Sequence, residues 1–183
     1  MQRQHERWPK PLWLLEQRGD GRYDGEPITQ REHGLQAAAL AVNAGADEAW
    51  VLAALLHDIG HLLTPGAEDA TRRGIDLRHE QVGAAALERW FGPSVSEPVR
   101  LHVEAKRFFA RDPTYELSEE SRRSLALQGG PMSDDEAEAF LANPAASAAM
   151  ALRRWDDEAK VRDLQVPPVA TYVALAQRLL LEP

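Results

Sequence analysis

The run from Val51 to His61, VLAALLHDIGH, constrains the fold more than any other part of the chain. Its apolar residues Val51, Ala54 and Leu55 recur at the three- and four-residue spacing of one helix face. Asp58 and His61 continue that face, so their side chains are expected to point into the protein. A buried carboxylate beside a buried imidazole is costly unless a metal ion or hydrogen bonds satisfy both groups. The run therefore predicts a helical core that carries a polar site.

Several other polar side chains fall on the apolar faces of predicted helices. These side chains are His33, His79, His102 and Asp156, which join His57 and Asp58 in a set of six candidate metal ligands. Four imidazoles and two carboxylates exceed what one ion needs, so we predict two ions bridged by a carboxylate such as Asp58. Helical phase favours Asp156 over Asp157, because Asp156 shares a face with Leu152 and Ala159.

A lysine and a histidine near these ligands indicate what the site binds. Lys106 lies one turn beyond His102 on the inward stripe of its predicted helix. Lysine is rarely buried without a partner, so an inward Lys106 is natural if the interior holds an anion. The alternative is that its stem covers the stripe while the amine reaches solvent. With His61 nearby, the pattern predicts a dinuclear enzyme for a phosphate or phosphonate, without separating hydrolysis from oxidation.

Composition narrows the class of protein. A chain of 183 residues favours a single domain, 1–183, and no segment shows the alternation of a β-strand, so we predict an all-α fold. The absence of cysteine leaves nitrogen and oxygen as metal ligands. The net charge of -8 argues against a nucleic-acid partner. Neither a signal peptide nor a membrane span is visible, so we expect a cytoplasmic protein that does not bind a membrane.

Breakers and periodicity divide the chain into helices and loops. Proline and glycine are dense in residues 1–31, which are expected to be mostly loop around a short helix near 12–17. The next helix is predicted at about 33–43, and the one after it runs from Asp47, its N-cap, through the His57-Asp58 pair. Three more are predicted at about 76–91, 95–110 and 118–127. The last three are predicted to begin near residue 133, to begin near Pro144, and to span 169–181.

The ligand pattern resembles that of a known superfamily. His33, then His57-Asp58, then Asp156 is similar to the His, His-Asp, Asp pattern of the HD-domain superfamily, and His79 and His102 resemble the added ligands of its dinuclear members. Longer motifs resemble the phosphonate-degrading HD oxygenases, which are relatives of myo-inositol oxygenase. These motifs are YDGEPITQREH at 23–33, His61, Lys106, SLALQGGPMS at 124–133 and RRWDDEAK at 153–160.

The resemblance implies a fold and a cofactor. The fold would be an HD-domain helical bundle with a dinuclear metal site in its core, covered by the segment 1–31. The cofactor would be two iron ions in a mixed-valent Fe(II)/Fe(III) pair, with O2 as co-substrate. One iron would be held by His33, His57, Asp58 and Asp156, and the other by Asp58, His79 and His102.

The resemblance also implies a reaction. An oxygenase of this family would cleave the carbon–phosphorus bond of a 1-hydroxy-2-(amino or trimethylamino)ethylphosphonate, giving phosphate and glycine or glycine betaine. The phosphonate would be held by His61, Lys106, Ser124 and Gln128. Tyr23 would occupy an open iron position until substrate displaces it, and Glu26 would bind the ammonium group.

Two other functions remain open from the sequence. One is an HD phosphohydrolase acting on a nucleotide or a phosphate ester, and the other is a helical signalling module without chemistry. Within the oxygenase interpretation the amine is undecided, since Glu26 suits a primary ammonium whereas a quaternary one prefers aromatic walls, for which Trp8, Trp13 and Tyr23 are candidates. Nothing in the sequence demands a partner chain, so we expect a monomer.

Overall fold

The computed structural model describes residues 8–23, 25–66 and 70–181. Residues 1–7, which entered the signal-peptide argument, Asp24 of the 23–33 motif, residues 67–69 of a polar connection and residues 182–183 lie outside this description. The described residues form helices joined by loops and contain no strand, only an isolated antiparallel bridge between Arg22 and Thr29. The predicted all-α class is therefore confirmed.

The α-helices, numbered in chain order, are α1 Lys10–Arg18, α2 Gln30–Asn43, α3 Glu48–Leu56, α4 Ile59–Leu63, α5 His79–Phe91, α6 Pro93–Phe109, α7 Glu119–Leu127, α8 Asp134–Leu141, α9 Ala146–Glu158 and α10 Val173–Arg178. Short 3-10 turns lie at Thr71–Arg73 and Val169–Tyr172. Among the described residues, none of these helices is both long and apolar enough to cross a membrane.

Capping residues explain where two of the helices begin. Thr29 and Glu32 form a reciprocal capping box, so α2 begins three residues before the predicted start at His33. His33 thus lies inside the first turns of α2 rather than at its end. Ser118 opens α7 by accepting a hydrogen bond from the Ser121 backbone, as its sequence position predicts.

Three expectations about helix boundaries and faces need correction. The Asp47 side chain makes no capping hydrogen bond, although Asp47 is the residue before α3. The predicted helix 169–181 is a 3-10 turn followed by the short α10. The spacing of Val82 from His79 and Ala86 predicts that Val82 faces inward with them, but it is 38% exposed, because the buried face of α5 runs through Gly83, Ala84 and Leu87.

Helix α3 is the centre of the core. Its residues from Val51 to Leu56 are all buried, and it packs against α2, α6 and α9. Burial on every side explains why this run is apolar at almost every position rather than along one stripe. Helices α5 and α6 pack against each other and complete the bundle around the C-terminal end of α3.

Two glycines allow the backbones around this end to approach closely. A Cβ on Gly34 of α2 would lie 2.5 Å from the carbonyl oxygen of Leu55 in α3. A Cβ on Gly60 of α4 would lie 2.0 Å from the carbonyl oxygen of His79 at the start of α5. Both contacts are too short for any side chain, so these glycines let α2 and α5 bring their histidines next to the α3–α4 turn.

Candidate dinuclear metal centre

The carboxylate of Asp58 occupies the turn between α3 and α4. Helix α3 ends at Leu56 and α4 begins at Ile59, so His57 and Asp58 leave the helical run rather than extend it. Both are buried, with His57 fully inaccessible and Asp58 8% exposed. The turn orients the carboxylate so that each of its two oxygens faces a different group of imidazoles.

The first group gathers around Oδ2 of Asp58. His33 Nε2 lies 3.6 Å and His57 Nε2 3.4 Å from this oxygen. The two Nε2 atoms are 3.1 Å apart. Oδ1 of Asp156 is 3.2 Å from His33 Nε2 and 3.9 Å from His57 Nε2. Four donor atoms from α2, α9 and the α3–α4 turn therefore enclose one point.

The second group gathers around Oδ1 of the same carboxylate. His79 Nε2 lies 3.2 Å from this oxygen, and His102 Nε2 lies 3.8 Å from it. The two Nε2 atoms are 3.1 Å apart. His61 also approaches this group, since Asp58, His61 and His79 each have a donor atom within 4.8 Å of the others. Asp58 is the residue common to both groups.

Backbone carbonyls orient three of the imidazoles. The Nδ1 atoms of His33, His57 and His102 lie 2.8, 2.9 and 2.7 Å from the carbonyl oxygens of Ala159, Ala54 and Val99. A carbonyl only accepts a hydrogen bond, so Nδ1 carries a proton and each ring turns its Nε2 toward the centre. The Nδ1 of His79 instead lies 3.7 Å from a carboxylate oxygen of Glu80.

Burial and charge set the protonation states around the centre. Burial lowers the pKa of both His57 and His102, which keeps these imidazoles neutral. Burial alone would raise the pKa of the Asp58 carboxyl, but His57, His79 and His61 hold it well below its usual range. Burial alone would lower the pKa of His79, but its hydrogen bond to Asp58 raises it. The Asp58 carboxylate is therefore a buried anion that the surrounding imidazoles stabilise.

This donor set fits two metal ions. Nitrogen and oxygen donors bound at about 2.1 Å to one ion lie about 3.0 Å apart when adjacent in an octahedron, close to the separations here. The Nδ1 atoms of His33 and His57 both bond backbone carbonyls, so their Nε2 lone pairs face each other at 3.1 Å, a contact that a cation between them would satisfy. Oδ1 of Asp156 is buried and has no hydrogen-bond partner among the described residues. Imidazole and carboxylate donors suit iron, manganese or zinc better than they suit calcium.

Arg153 is the main participant that reasoning from the sequence missed. It is 3% exposed, and its Nη1 donates to Oδ2 of Asp156 over 2.7 Å. Burial alone would raise the pKa of Asp156, but Arg153 and His33 hold it well below its usual range. Arg153 also donates to Asp157, which accepts from Tyr115 as well. Asp156 thus faces the imidazoles, while Asp157 faces away from them.

A cavity of about 70 Å³ opens beside the second group of donors. Several residues predicted for the substrate line it, namely Tyr23, Glu26, His61, Lys106, Ser124 and Gln128. Lys106 is 4% exposed and its Nζ donates to Ser124 Oγ over 2.9 Å. Burial, with repulsion from Arg153, lowers the pKa of Lys106 to about 7. The alternative in which the amine reaches solvent is wrong.

Two of the lining rings stack on the candidate ligands. Tyr23 stacks on His33 with ring centroids 3.9 Å apart, and His61 stacks on His79 at 4.2 Å. Burial raises the pKa of Tyr23 well above its usual value, and the carboxylates of Asp156 and Asp58 raise it further. Burial next to His79 lowers the pKa of His61 to about 3.

The remaining lining differs from what the sequence indicated. Trp8 and Trp13, considered as aromatic walls, are absent from it, and among the described residues Tyr23 is its only aromatic ring apart from the imidazoles. Glu120, Ser121 and Thr71 line it without having been predicted. A helix-phase argument on α7 could have found Glu120, since it lies four residues before Ser124.

The chain is similar to known proteins over most of its length. Residues 31–142 match the HD domain family. The chain is 45% identical over 163 residues to the hydroxymethylphosphonate dioxygenase of Gimesia maris, covering 87% of this chain and 81% of that protein. It is 39% identical over 170 residues to the [1-hydroxy-2-(trimethylamino)ethyl]phosphonate dioxygenase (glycine-betaine-forming) of Leisingera caerulea, covering 91% and 87%. An uncharacterised mimivirus protein is 34% identical over 164 residues, covering 87% and 75%.

The helical bundle, the paired donor groups around Asp58 and these alignments agree on one assignment. The family match covers more than half of the chain, and the alignments to the two dioxygenases cover most of it. The chain belongs to the HD-domain family, within its group of phosphonate dioxygenases.

Proposed function

We propose that this chain is a dioxygenase that cleaves the carbon–phosphorus bond of a 1-hydroxyalkylphosphonate. The observation that carries the proposal is the Asp58 carboxylate, whose two oxygens face separate groups of imidazole donors. Lys106, a buried cation beside these groups, supplies a site for the phosphonate. The names of the two dioxygenase relatives support the class of reaction.

The cofactor in this proposal is a pair of iron ions in the Fe(II)/Fe(III) state. His33, His57, Asp58 and Asp156 would hold one ion, and Asp58, His79 and His102 would hold the other. When bound, such a pair would supply the redox chemistry by which O2 oxidises the substrate carbon. The histidines and the carboxylates of Asp58 and Asp156 would be the contribution of the chain to this chemistry.

The cavity residues would bind and orient the phosphonate. Lys106 would give a charge-assisted hydrogen bond to a phosphonate oxygen, and Ser124, already bonded to Lys106, would contact the same group. His61 and Gln128, which line the same cavity, would complete the phosphonate pocket. These contacts would hold the hydroxyl-bearing carbon next to the metal pair.

Two residues of the N-terminal segment would control access. Tyr23, whose ring stacks on His33 beside the first group of donors, would occupy a ligand position and leave when substrate arrives. Glu26 would pair with a cationic end of the substrate. We propose that the described part of the segment 1–31, residues 8–23 and 25–31, covers the site in this way, within a single domain that acts as a monomer.

The substrate would be a 1-hydroxy-2-(amino or trimethylamino)ethylphosphonate, giving phosphate and glycine or glycine betaine. Each reaction balances with one O2, because the hydroxyl-bearing carbon becomes a carboxylate and phosphorus leaves as phosphate. The Gimesia relative is named for hydroxymethylphosphonate, which has the same reacting carbon and lacks the amine.

Oxygen dependence tests the proposal against the phosphohydrolase alternative. Iron-loaded protein should release phosphate from 2-amino-1-hydroxyethylphosphonate in air and not under argon. Asp58→Asn, which keeps the size of the side chain, should abolish the release. Equal release with and without O2, or turnover of nucleotides with Mg²⁺ or Mn²⁺ alone, would replace the oxygenase by a hydrolase.

A further inference from the structure

The substrate cavity contains an acid that the function described so far does not use. Glu120 of α7 lines the cavity, and its side chain is 13% exposed. Its Oε1 is shielded from solvent and has no hydrogen-bond partner among the described residues. Its Oε2 lies 3.3 Å from Arg123 in a helical i, i+3 pair near the surface. A buried carboxylate oxygen without a donor is costly unless a ligand supplies one.

Glu120 lies next to the loop that carries Glu26. A Cβ built on Gly25 would be 3.0 Å from Oε2 of Glu120, so the carboxylate packs against the backbone of that loop. Both acids line the same cavity. Asp58 and Asp156 also line it, but they face the metal donors. Asp76 lines it as well, and its Oδ1 accepts from the backbone N–H of Arg78 before α5. Glu26 and Glu120 are thus left as a pair of acids on the side of the Tyr23 loop.

The position of Glu120 on its helix matches the size of an aminoethylphosphonate. Ser124, bonded to Lys106 in the phosphonate pocket, follows Glu120 by four residues, so the two side chains share one face of α7. Side chains at this spacing start about 5–6 Å apart. With C–C and C–N bonds of about 1.5 Å, the chain from phosphorus to a nitrogen on the second carbon spans about 4 Å. A phosphonate at Ser124 would therefore bring such a nitrogen within reach of Glu120.

The lining also favours one kind of cation. A quaternary ammonium has no N–H to donate and is recognised by aromatic faces. Tyr23 is the sole aromatic ring besides imidazoles in the described lining, and it already stacks on His33. A primary ammonium has three N–H donors, which two carboxylates can accept.

We propose that Glu120, together with Glu26, forms a cation-binding end of the substrate pocket that selects a primary ammonium group. This assignment rests on the proposed function. It makes Glu120 a specificity-determining residue, and it makes 2-amino-1-hydroxyethylphosphonate a better substrate than its trimethylamino analogue or hydroxymethylphosphonate.

The test compares the three phosphonates on iron-loaded enzyme, with phosphate release measured as kcat/KM. Wild-type protein should prefer the primary amine. Glu120→Gln should lower kcat/KM for that amine by about 10- to 100-fold, mainly through KM, because a charge-assisted hydrogen bond is lost. The same variant should change kcat/KM for hydroxymethylphosphonate by less than about threefold, since that substrate has no cation to lose. Glu119→Gln, on the exposed side of α7, is the matched control and should change neither value.

Each alternative outcome has a distinct meaning. Equal losses on the amine and on hydroxymethylphosphonate would overturn the inference and make Glu120 a support for the loop at Gly25. An unchanged preference in Glu120→Gln, or a wild-type preference for either other substrate, would overturn it too while leaving the dioxygenase in place. If the wild-type protein cleaves none of the three phosphonates, the proposed function itself fails, and the inference fails with it.

Discussion

The two groups of donors around Asp58 differ in how tightly the protein encloses them. We call His33, His57 and Asp156 the closed half, and His79 and His102 the open half. The side chains of His33 and His57 are fully inaccessible and that of Asp156 is 3% exposed. The side chain of His79 is 12% exposed, and His79 lines the cavity that Lys106 also lines. The open half is therefore where exchangeable ligands can reach a bound ion.

The two halves also differ in how their ligands are oriented. Both imidazoles of the closed half donate hydrogen bonds from Nδ1 to backbone carbonyls, and Arg153 donates to the Asp156 oxygen that faces away from the imidazoles. In the open half, the Nδ1 of His102 bonds a backbone carbonyl, whereas the Nδ1 of His79 lies 3.7 Å from a carboxylate oxygen of Glu80. With Asp58 counted in both, the closed half offers four donors and the open half three. The rigid closed half suits an ion that stays bound, whereas the looser open half suits an ion whose ligands change during turnover.

Removal of one histidine from each half should give the largest effect and separate their roles. His79→Ala should bind one iron fewer per chain, and its kcat should fall by more than roughly 100-fold, the loss typical of residues that only orient a metal ligand. Its helical circular dichroism should not change. His33→Ala should also lose iron and turnover, and in addition lower the melting temperature, because its bond to Ala159 ties the chain after α9 to α2. Metal analysis, phosphate release and thermal melts measure this. Full activity of His79→Ala would remove the second ion from the proposal.

Arg153 tests the rigidity of the closed half. Arg153→Leu should lower the free energy of unfolding of metal-free protein by about 3–5 kcal/mol, because Asp156 would be left buried without its cation. Arg154→Leu is the matched control, since Arg154 is exposed and packs over the Phe109 ring at 5.4 Å, a contact that contributes about 0.5–1 kcal/mol. Urea titrations give both values. Equal stability of the two variants would mean that Asp156 needs no brace.

Lys106 tests the anion site on the open side. Lys106→Met should raise KM for the phosphonate by about 10- to 100-fold with a smaller change in kcat, since a charge-assisted bond is lost in ground and transition states alike. An unchanged KM would exclude Lys106 from substrate binding.

The pH dependence sharpens the same test. Only protonated Lys106 attracts the phosphonate, and its pKa is about 7 in the free protein. Wild-type KM should therefore be lowest below pH 7 and rise above it as the amine loses its proton. In Lys106→Met this rise should disappear. A rise of the same size in both proteins would assign it to another group.

Tyr23→Phe should give the smallest kinetic effect. The phenol would be lost while the ring still stacks on His33, so the resting iron spectrum should change more than the substrate-bound one, with kcat reduced less than about tenfold. Absorption and paramagnetic resonance spectra with and without substrate measure the difference. Identical resting spectra would refute the gating role and leave Tyr23 as a packing residue.

The all-α class and the convergence of the six ligand candidates were predictable from the sequence. The helical repeat of 3.6 residues predicts that each histidine lies on the buried face of its helix. Because unpaired polar groups are costly to bury, these side chains are expected to contact one another. In the structure, donor atoms from these side chains lie around the two oxygens of Asp58. The inward Lys106 was predictable for the same reason, since a lysine on an apolar stripe needs a partner.

The tertiary structure decided what depends on contacts between distant segments. The α3–α4 turn orients the Asp58 carboxylate so that its two oxygens face different imidazoles. Gly60, which has no side chain, allows the backbone of His79 to pack against α4. Helical period places Glu120 and Arg153 on faces, but whether an acid faces substrate or solvent depends on a loop almost a hundred residues away in the chain. The sequence alone thus determined the helical class and the inward faces of the candidate ligands, because local periodicity sets which face of a helix is apolar. The pairing of those residues needed the folded chain, because distances between helices follow from packing.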